Sequence, residues 1–245
     1  MEYLGIDIGG TGMKGSTVEV SSGELTADRF RIPTPHPATP PAMAEVVAEI
    51  VDHHRYSGPV GCTFPGVVKG GTILTAVNLD SRWVGLDASK LFGERASCEF
   101  VMLNDADAAG LAEMRHGAGK GVDGTVLLIT IGTGLGTALF VDQVLVPNTE
   151  LGHIEVRGRD AESRAAGRIR KEKDLSWKKW AKRFNEYLNR VTALVNPDLV
   201  IVGGGIAKRS ERFFGYLDHD VVAAKFLNNA GIVGAAMAVH EATTG

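Results

Sequence analysis

The sequence predicts an α/β protein built from two related lobes, and three observations carry that prediction. A strand, a Gly-Thr-Gly turn and a returning strand open the chain and recur in its second half. An Asn-Asp pair closes an apolar strand and precedes a run of small residues. A short apolar strand late in the chain runs directly onto three successive glycines. Strand, turn and helix patterns alternate in this way in folds whose sheets are covered by helices.

The elements follow in order. Tyr3-Leu4-Gly5-Ile6-Asp7-Ile8 reads as a strand, Gly9-Gly10-Thr11-Gly12 as a turn, and residues 14–20 as the return of a hairpin. Residues 33–41 hold five of the nine prolines and form an extended connector before an amphipathic helix over 42–54. Strands are expected over 60–64 and 100–103. The second hairpin pairs 125–131 with 137–141 across Gly132-Thr133-Gly134-Leu135-Gly136. A long helix over 175–194 ends at Asn196-Pro197, a buried strand covers 199–202, and a small-residue helix runs over 232–242. Gly119-Lys120-Gly121 marks the expected lobe boundary. The lobes are therefore placed at 1–118 and 119–245, with the C-terminal helix able to pack back on the first.

At 245 residues and 44% hydrophobic, the chain has enough apolar surface for a large core. A formal charge of −3 argues against a general nucleic-acid binder. Cys62 and Cys98 are the only cysteines, too few for a disulfide framework and in keeping with a reducing, cytoplasmic setting. Neither an export signal nor a membrane span is legible.

Gly10-Thr11-Gly12-Met13-Lys14-Gly15 formally fits the dinucleotide pattern G-x-G-x-x-G. That pattern needs a helix after the glycines, and the β-branched alternation of 16–20 predicts a strand instead. A P-loop fails because Ser16 stands where its lysine belongs. What remains is a pair of hairpins whose amides approach phosphate oxygens, with the Thr11 hydroxyl and Lys14 ammonium as added donors. Either turn alone reads as an ordinary hairpin; two matching turns favour phosphate. Gly203, Gly204 and Gly205 form a third point of close approach, for a ligand or for a tight strand-to-helix turn.

Asp105 ends a strand of the kind that lines clefts in α/β folds, where a carboxylate can take a proton from an attacking hydroxyl. Asp at that position is also a common helix cap. Glu150-Leu151-Gly152-His153 brings an acceptor and a donor-acceptor close together, as a sugar's hydroxyls require. Asn78-Leu79-Asp80-Ser81-Arg82-Trp83 offers polar groups and an aromatic surface to border a pyranose, or a plain surface loop.

Together Asp7-Ile8-Gly9-Gly10-Thr11, Asn104-Asp105, Gly132-Thr133-Gly134-Leu135-Gly136 and Glu150-Leu151-Gly152-His153 resemble the ROK family of sugar kinases and repressors. The resemblance implies the two-lobed actin-like ATPase (ribonuclease H-like) fold, with the sugar between lobes and the donor across the glycine hairpins. It implies Asp105 as catalytic base, Asn104, Glu150 and His153 as hexose ligands, and Asp7 as the holder of Mg²⁺, directly or through water. Gly9, Gly10, Thr11, Lys14, Gly132, Thr133, Gly134 and Gly203–Gly205 fall to the donor, and Asn78 to the sugar. Most ROK kinases carry a cysteine cluster for zinc just after the matching histidine. Residues 154–175 contain no cysteine, so no zinc is expected, and Glu162 stands where the family has a further sugar-binding glutamate.

The missing cluster, with Asp160-Ala161-Glu162-Ser163-Arg164, Asp174-Leu175-Ser176-Trp177 and Asn228-Asn229-Ala230-Gly231, resembles the actinobacterial branch of the family that phosphorylates glucose from polyphosphate. One feature of the residues points the same way: between Arg157 and Arg190 stand twelve Lys or Arg against five Asp or Glu. Such a surplus attracts a linear polyanion, as cationic tracks do on nucleic-acid backbones, although i to i+4 pairing on a solvated helix face would also account for it. The expected partners are glucose, with mannose as a second acceptor, polyphosphate and ATP, and a second copy of the chain. Three alternatives stay open: a kinase restricted to ATP, a sugar-sensing regulator, and, distantly, a nicotinamide dehydrogenase. Family regulators carry an N-terminal DNA-binding helix-turn-helix, and the first strand here starts within three residues of Met1, which points away from a regulator.

Overall fold

The computed structural model describes residues 1–77 and 79–244, which divide into two compact units. Unit 1 comprises Met1–Ala112 and the segment from Asn229 on; unit 2 is Glu113–Asn228.

In unit 1, β1 (Glu2–Gly9) and β2 (Gly12–Glu19) form the first hairpin, antiparallel with Asp7 opposite Lys14. The short strands β3 (Glu24–Leu25) and β4 (Phe30–Ile32) both pair with β2. The proline connector leads into α1 (Pro40–His53), whose N-cap Thr39 accepts a hydrogen bond from the Ala42 amide. Then come β5 (Val60–Phe64), a small ribbon of β6 (Val68–Lys69) and β7 (Thr72–Ile73), α2 (Ala88–Ala96) and β8 (Phe100–Asn104). The main sheet runs β3-β2-β1-β5-β8, with β1, β5 and β8 parallel. The periodicity of residues 42–54 is met by a helix that buries Met43, Val47, Ile50 and Val51. They pack in the core with Leu4, Ile6 and Ile8 of β1.

Helix α3 (Asp105–His116) carries the chain across the unit boundary, which falls inside it and upstream of the glycines at 119–121. Glu113 is fully buried near its end; its carboxylate accepts from the amides of Ala118, Lys225 and Phe226. Three backbone donors make a buried carboxylate tenable.

Unit 2 repeats the pattern. The second hairpin is β9 (Thr125–Ile131) and β10 (Leu135–Val141), extended by β11 (Val144–Val146). A ribbon of β12 (Glu155–Val156) and β13 (Arg159–Asp160) precedes α4 (Glu162–Ala165) and α5 (Gly167–Glu172). The long helix is α6 (Trp177–Val195), capped by Ser176 at its start and closed by Asn196 in the left-handed conformation, φ 46°. It buries Trp180, Phe184, Tyr187, Leu188 and Val191, a stripe at helical spacing. β14 (Leu199–Gly203) and β15 (Val222–Ala223) complete the sheet β11-β10-β9-β14-β15, in which β9, β14 and β15 are parallel. A glycine-tipped antiparallel pair whose first strand continues into parallel neighbours thus occurs in each unit.

The chain then returns to unit 1 as α7 (Ala230–Thr244). Its small residues let backbone approach backbone. A Cβ on Gly5 would overlap the carbonyl oxygen of Ile232, one on Gly61 that of Ala235, and one on Gly234 that of Ala108. The helix therefore lies directly on β1, β5 and α3.

Candidate active site

In unit 1 the site residues collect at the ends of β1 and β8. The Asp7 carboxylate takes the Lys14 ammonium at 2.8 Å and the Thr63 hydroxyl at 3.0 Å. Thr63, fully buried, also accepts from the Ile8 amide at 3.0 Å, so it ties the end of β1 to β5. Behind Asp7 stands Gly231, where any Cβ would press on the carboxylate. Gly9 and Gly10 sit at the hairpin tip; nothing lies within 4 Å of a Cβ placed on Gly10, and Thr11 is exposed beside it. Gly12 is packed under the Arg31 guanidinium.

Asn104 is 6% exposed and caps α3: its Oδ1 accepts from the amides of Ala106, at 2.8 Å, and Asp107, at 3.1 Å. Its Nδ2 donates to the Gly66 carbonyl at 3.1 Å. The cap is thus Asn104 rather than Asp105. Asp105 is exposed in the first turn of α3, where the helix dipole favours a carboxylate. Asn104 keeps one N–H for a ligand.

Asn78 lies outside the described residues. Trp83, in contrast to the expected sugar-facing surface, is fully buried against Phe64 and Phe92, and its indole N–H donates to the Ala38 carbonyl. A large apolar ring with one donor gains more from the core than from a polar rim. Asp80 and Arg82 bind each other, and the guanidinium holds the Asp80 carboxyl at about 2.

In unit 2, Glu150 and His153 flank a single 3₁₀ turn over Leu151–His153. Imidazole Nε2 stands 3.7 Å from Glu150, and Nδ1 is hydrogen-bonded to Asp160 at 2.7 Å. Burial alone lowers the His153 pKa, but the bond to Asp160 and the nearby charges of Asp160, Glu162 and Glu150 outweigh it and raise the net value above 6.5. Burial pushes Glu150 above the usual carboxylate range, opposed by His153 and aided by Glu162. The result is a ring whose proton is held by one carboxylate while another faces its second nitrogen. Since the folded His153 value is the higher one, this pairing adds stability in full below pH 6.5 and loses it as pH rises through the folded value. At 41% side-chain exposure that contribution is small. Asp160→Asn removes the main support for the charged ring, and the His153 Hε1 signal in a proton NMR titration will shift at lower pH than in the unaltered chain. An unchanged midpoint would assign the rise to the other carboxylates.

Glu162 bonds the Leu135 amide at 3.0 Å through Oε2 and Arg168 at 3.2 Å through Oε1. It fills the space beside Gly134, where a Cβ would sit 2.6 Å from its oxygen. The glutamate therefore holds the tip of the second hairpin.

Beside that tip lies a cavity of about 450 Å³. Gly132, Thr133 and Gly205 give it exposed turn backbone, and Arg168, Arg170, Lys171 and Arg209 give it charge, with Trp177 at its wall. Gly204, with φ +75°, instead turns against the Ile131 backbone and is needed for the turn itself. Gly203 closes β14. Of the basic stretch, Arg157 and Arg164 pair with Glu186, and Arg168 with Glu162. Lys178, Lys179 and Lys182 of α6 and Lys173 before it are exposed and pair with no acid among the described residues, so i to i+4 pairing does not absorb the surplus.

Three side chains were not among the sequence expectations. Thr63 is a hydroxyl in an otherwise apolar strand, a legible signal; Asp160 and Arg168 act through partners that only the folded chain supplies.

The ROK family pattern matches residues 3–169. The polyphosphate glucokinase of Mycobacterium tuberculosis (strain CDC 1551 / Oshkosh) is 46% identical over 244 residues, covering 98% of this chain and 92% of the relative. The inorganic polyphosphate/ATP-glucomannokinase of Arthrobacter sp. strain KM superposes with a TM-score of 0.95 at 45% identity, covering 98% of this chain and 99% of that one. A ROK family glucokinase from Streptomyces griseus, in complex with glucose and AMPPNP, matches with a TM-score of 0.82 at 25% identity over 97% and 98% of the two chains. With its two glycine-tipped sheets, its Asn-Asp helix start and this similarity along nearly its whole length, the chain belongs to the ROK family.

Proposed function

We propose that this protein transfers the terminal phosphoryl group of polyphosphate, and of ATP, to the 6-hydroxyl of glucose. The observation that carries the reading is the cationic cavity at the second glycine hairpin, in a chain 46% identical to a polyphosphate glucokinase and 45% identical to a polyphosphate/ATP-glucomannokinase. By the family resemblance the glucose ligands are Asn104, Asp105, Glu150 and His153, whose mixed donors and acceptors suit vicinal hydroxyls. Asp105 accepts the proton of the 6-hydroxyl as the oxygen attacks phosphorus, and Asn104 sets the carboxylate at the helix start. The amides at Gly132 and Thr133 and the guanidinium of Arg168 hold the donor's phosphates, with Gly10, Thr11 and Lys14 as further donors from the first hairpin.

Mg²⁺ belongs to the same proposal. Among the described residues no cluster of three His, Cys, Asp or Glu could cage a metal. Asp7, with one hydroxyl and one ammonium on it, fits an ion that arrives with the donor's phosphates and keeps its waters. When bound, such an ion neutralises charge on the transferring phosphoryl group. Mannose as a second acceptor, a homodimer and a cytoplasmic setting are part of this reading too. Among the described residues no helix is long and apolar enough to cross a membrane.

The test is initial-rate glucose 6-phosphate formation with Mg²⁺, comparing long-chain polyphosphate with ATP at matched terminal phosphate over a salt series. Turnover with polyphosphate that falls steeply with salt is the expected result, because the donor displaces counterions along a track of cations. Activity with ATP alone would reduce the lysines of α6 to a solvated face.

A further inference from the structure

The wall of the unit 2 cavity holds one aromatic side chain among the described residues, Trp177, and that indole is already covered. The Arg170 guanidinium lies over it, 4.2 Å from the ring centroid. The indole also packs nearly parallel to Phe213, at 11° and 5.8 Å between centroids. Arg170 is not a loose cation that happens to rest there. Its Nη1 donates to the Leu175 carbonyl at 3.1 Å, and the Leu175 amide donates back to the Arg170 carbonyl at 2.9 Å. Side chain and backbone thus close the loop between α5 and α6, holding the guanidinium on the ring before any donor arrives.

A phosphate chain and a nucleoside triphosphate ask different things of such a wall. The chain is charged throughout and gains from a fixed, pre-oriented cation. The nucleotide carries a planar base whose usual anchor is an open aromatic face. A guanidinium pinned on the indole supplies the first and withholds the second. We propose that the Arg170–Trp177 pair sets the donor preference of this site, excluding a nucleobase from the indole and so favouring inorganic polyphosphate over ATP. The inference deepens the proposed function and rests on it.

The test separates charge from coverage. Arg170→Lys keeps a cation but gives up the planar group on the ring, and Arg170→Ala gives up both. For each, kcat/KM for glucose phosphorylation is measured with long-chain polyphosphate and with MgATP. The expected result is that the ATP to polyphosphate ratio rises in both variants, by about tenfold in Arg170→Ala, the low end of what base stacking on an aromatic ring is worth. Adding Trp177→Leu to Arg170→Ala removes the gain. Binding gives a second readout that needs no turnover: tryptophan fluorescence titrated with AMPPNP and with tripolyphosphate. Trp83 and Trp180 are fully buried, so Trp177 is the ring a donor can reach. AMPPNP quenching should strengthen in Arg170→Lys while tripolyphosphate affinity changes less than twofold. An unchanged ratio in both variants would overturn the proposal. So would an ATP loss in Arg170→Lys, because the base would then be stacking on the guanidinium itself. Absence of turnover with either donor in the unaltered chain would overturn the proposed function instead, and the quenching comparison would still decide the role of Arg170.

Discussion

Asp105→Asn is expected to lower kcat about 10²- to 10⁴-fold with polyphosphate and with ATP alike, the usual worth of a positioned general base. The exchange is nearly isosteric, and Asn104 rather than Asp105 caps α3, so the helix start stays in place. Glucose should accordingly still raise the thermal midpoint of the variant, since ground-state contacts do not need the proton acceptor. Equal loss with both donors is the informative part. It places the defect on the acceptor side, whereas a loss confined to one donor would point to the cavity. Turnover within a few-fold of the unaltered chain would mean that the base is another group.

The largest effect on stability is expected at Gly61. A Cβ there overlaps the carbonyl oxygen of Ala235, a backbone atom in the middle of α7 that no rotamer change can move aside. Gly61→Ala should therefore cost about 3 kcal/mol or more, at or above the usual range for overpacked cores. Read by urea unfolding, the midpoint falls while the slope holds, provided the transition stays two-state. Gly215→Ala is the comparison: nothing lies within 4 Å of a Cβ at that exposed position, and its change should stay within about 0.5 kcal/mol. Similar losses at the two positions would show that the approach of α7 does not decide the cost of replacing Gly61.

What was legible in the sequence was whatever a local pattern writes down. Short apolar runs marked β1, β9 and β14, glycines marked the turns between paired strands, and the stripe of α6 marked its buried face. The long helix was expected over 175–194 and spans 177–195 because Ser176 is a strong cap and Asn196 accepts the left-handed turn. Helix α2 was not anticipated, although Asp87 caps it; its nine residues are too short for a clear period. Trp83 was misread because an aromatic beside Asn, Asp and Arg looks like a sugar platform until the fold turns it inward. The same limit hid Thr63 on Asp7, 56 residues away, and Asp160 on His153. Residue type names a capability, and only the tertiary contacts say on what it is spent.

Unit 1 is assembled from two stretches of chain separated by the whole of unit 2, and that fixes an order in time. Synthesis from the N-terminus delivers residues 113–228 complete while the sheet of unit 1 still lacks α7, the helix that lies against Gly5 and Gly61. Chains commonly acquire structure from the end made first. Here the first-made strands must wait, with one face of β1 and β5 without its covering helix, until α7 has followed unit 2. The unit begun first is thus finished only after every residue of the other has been made.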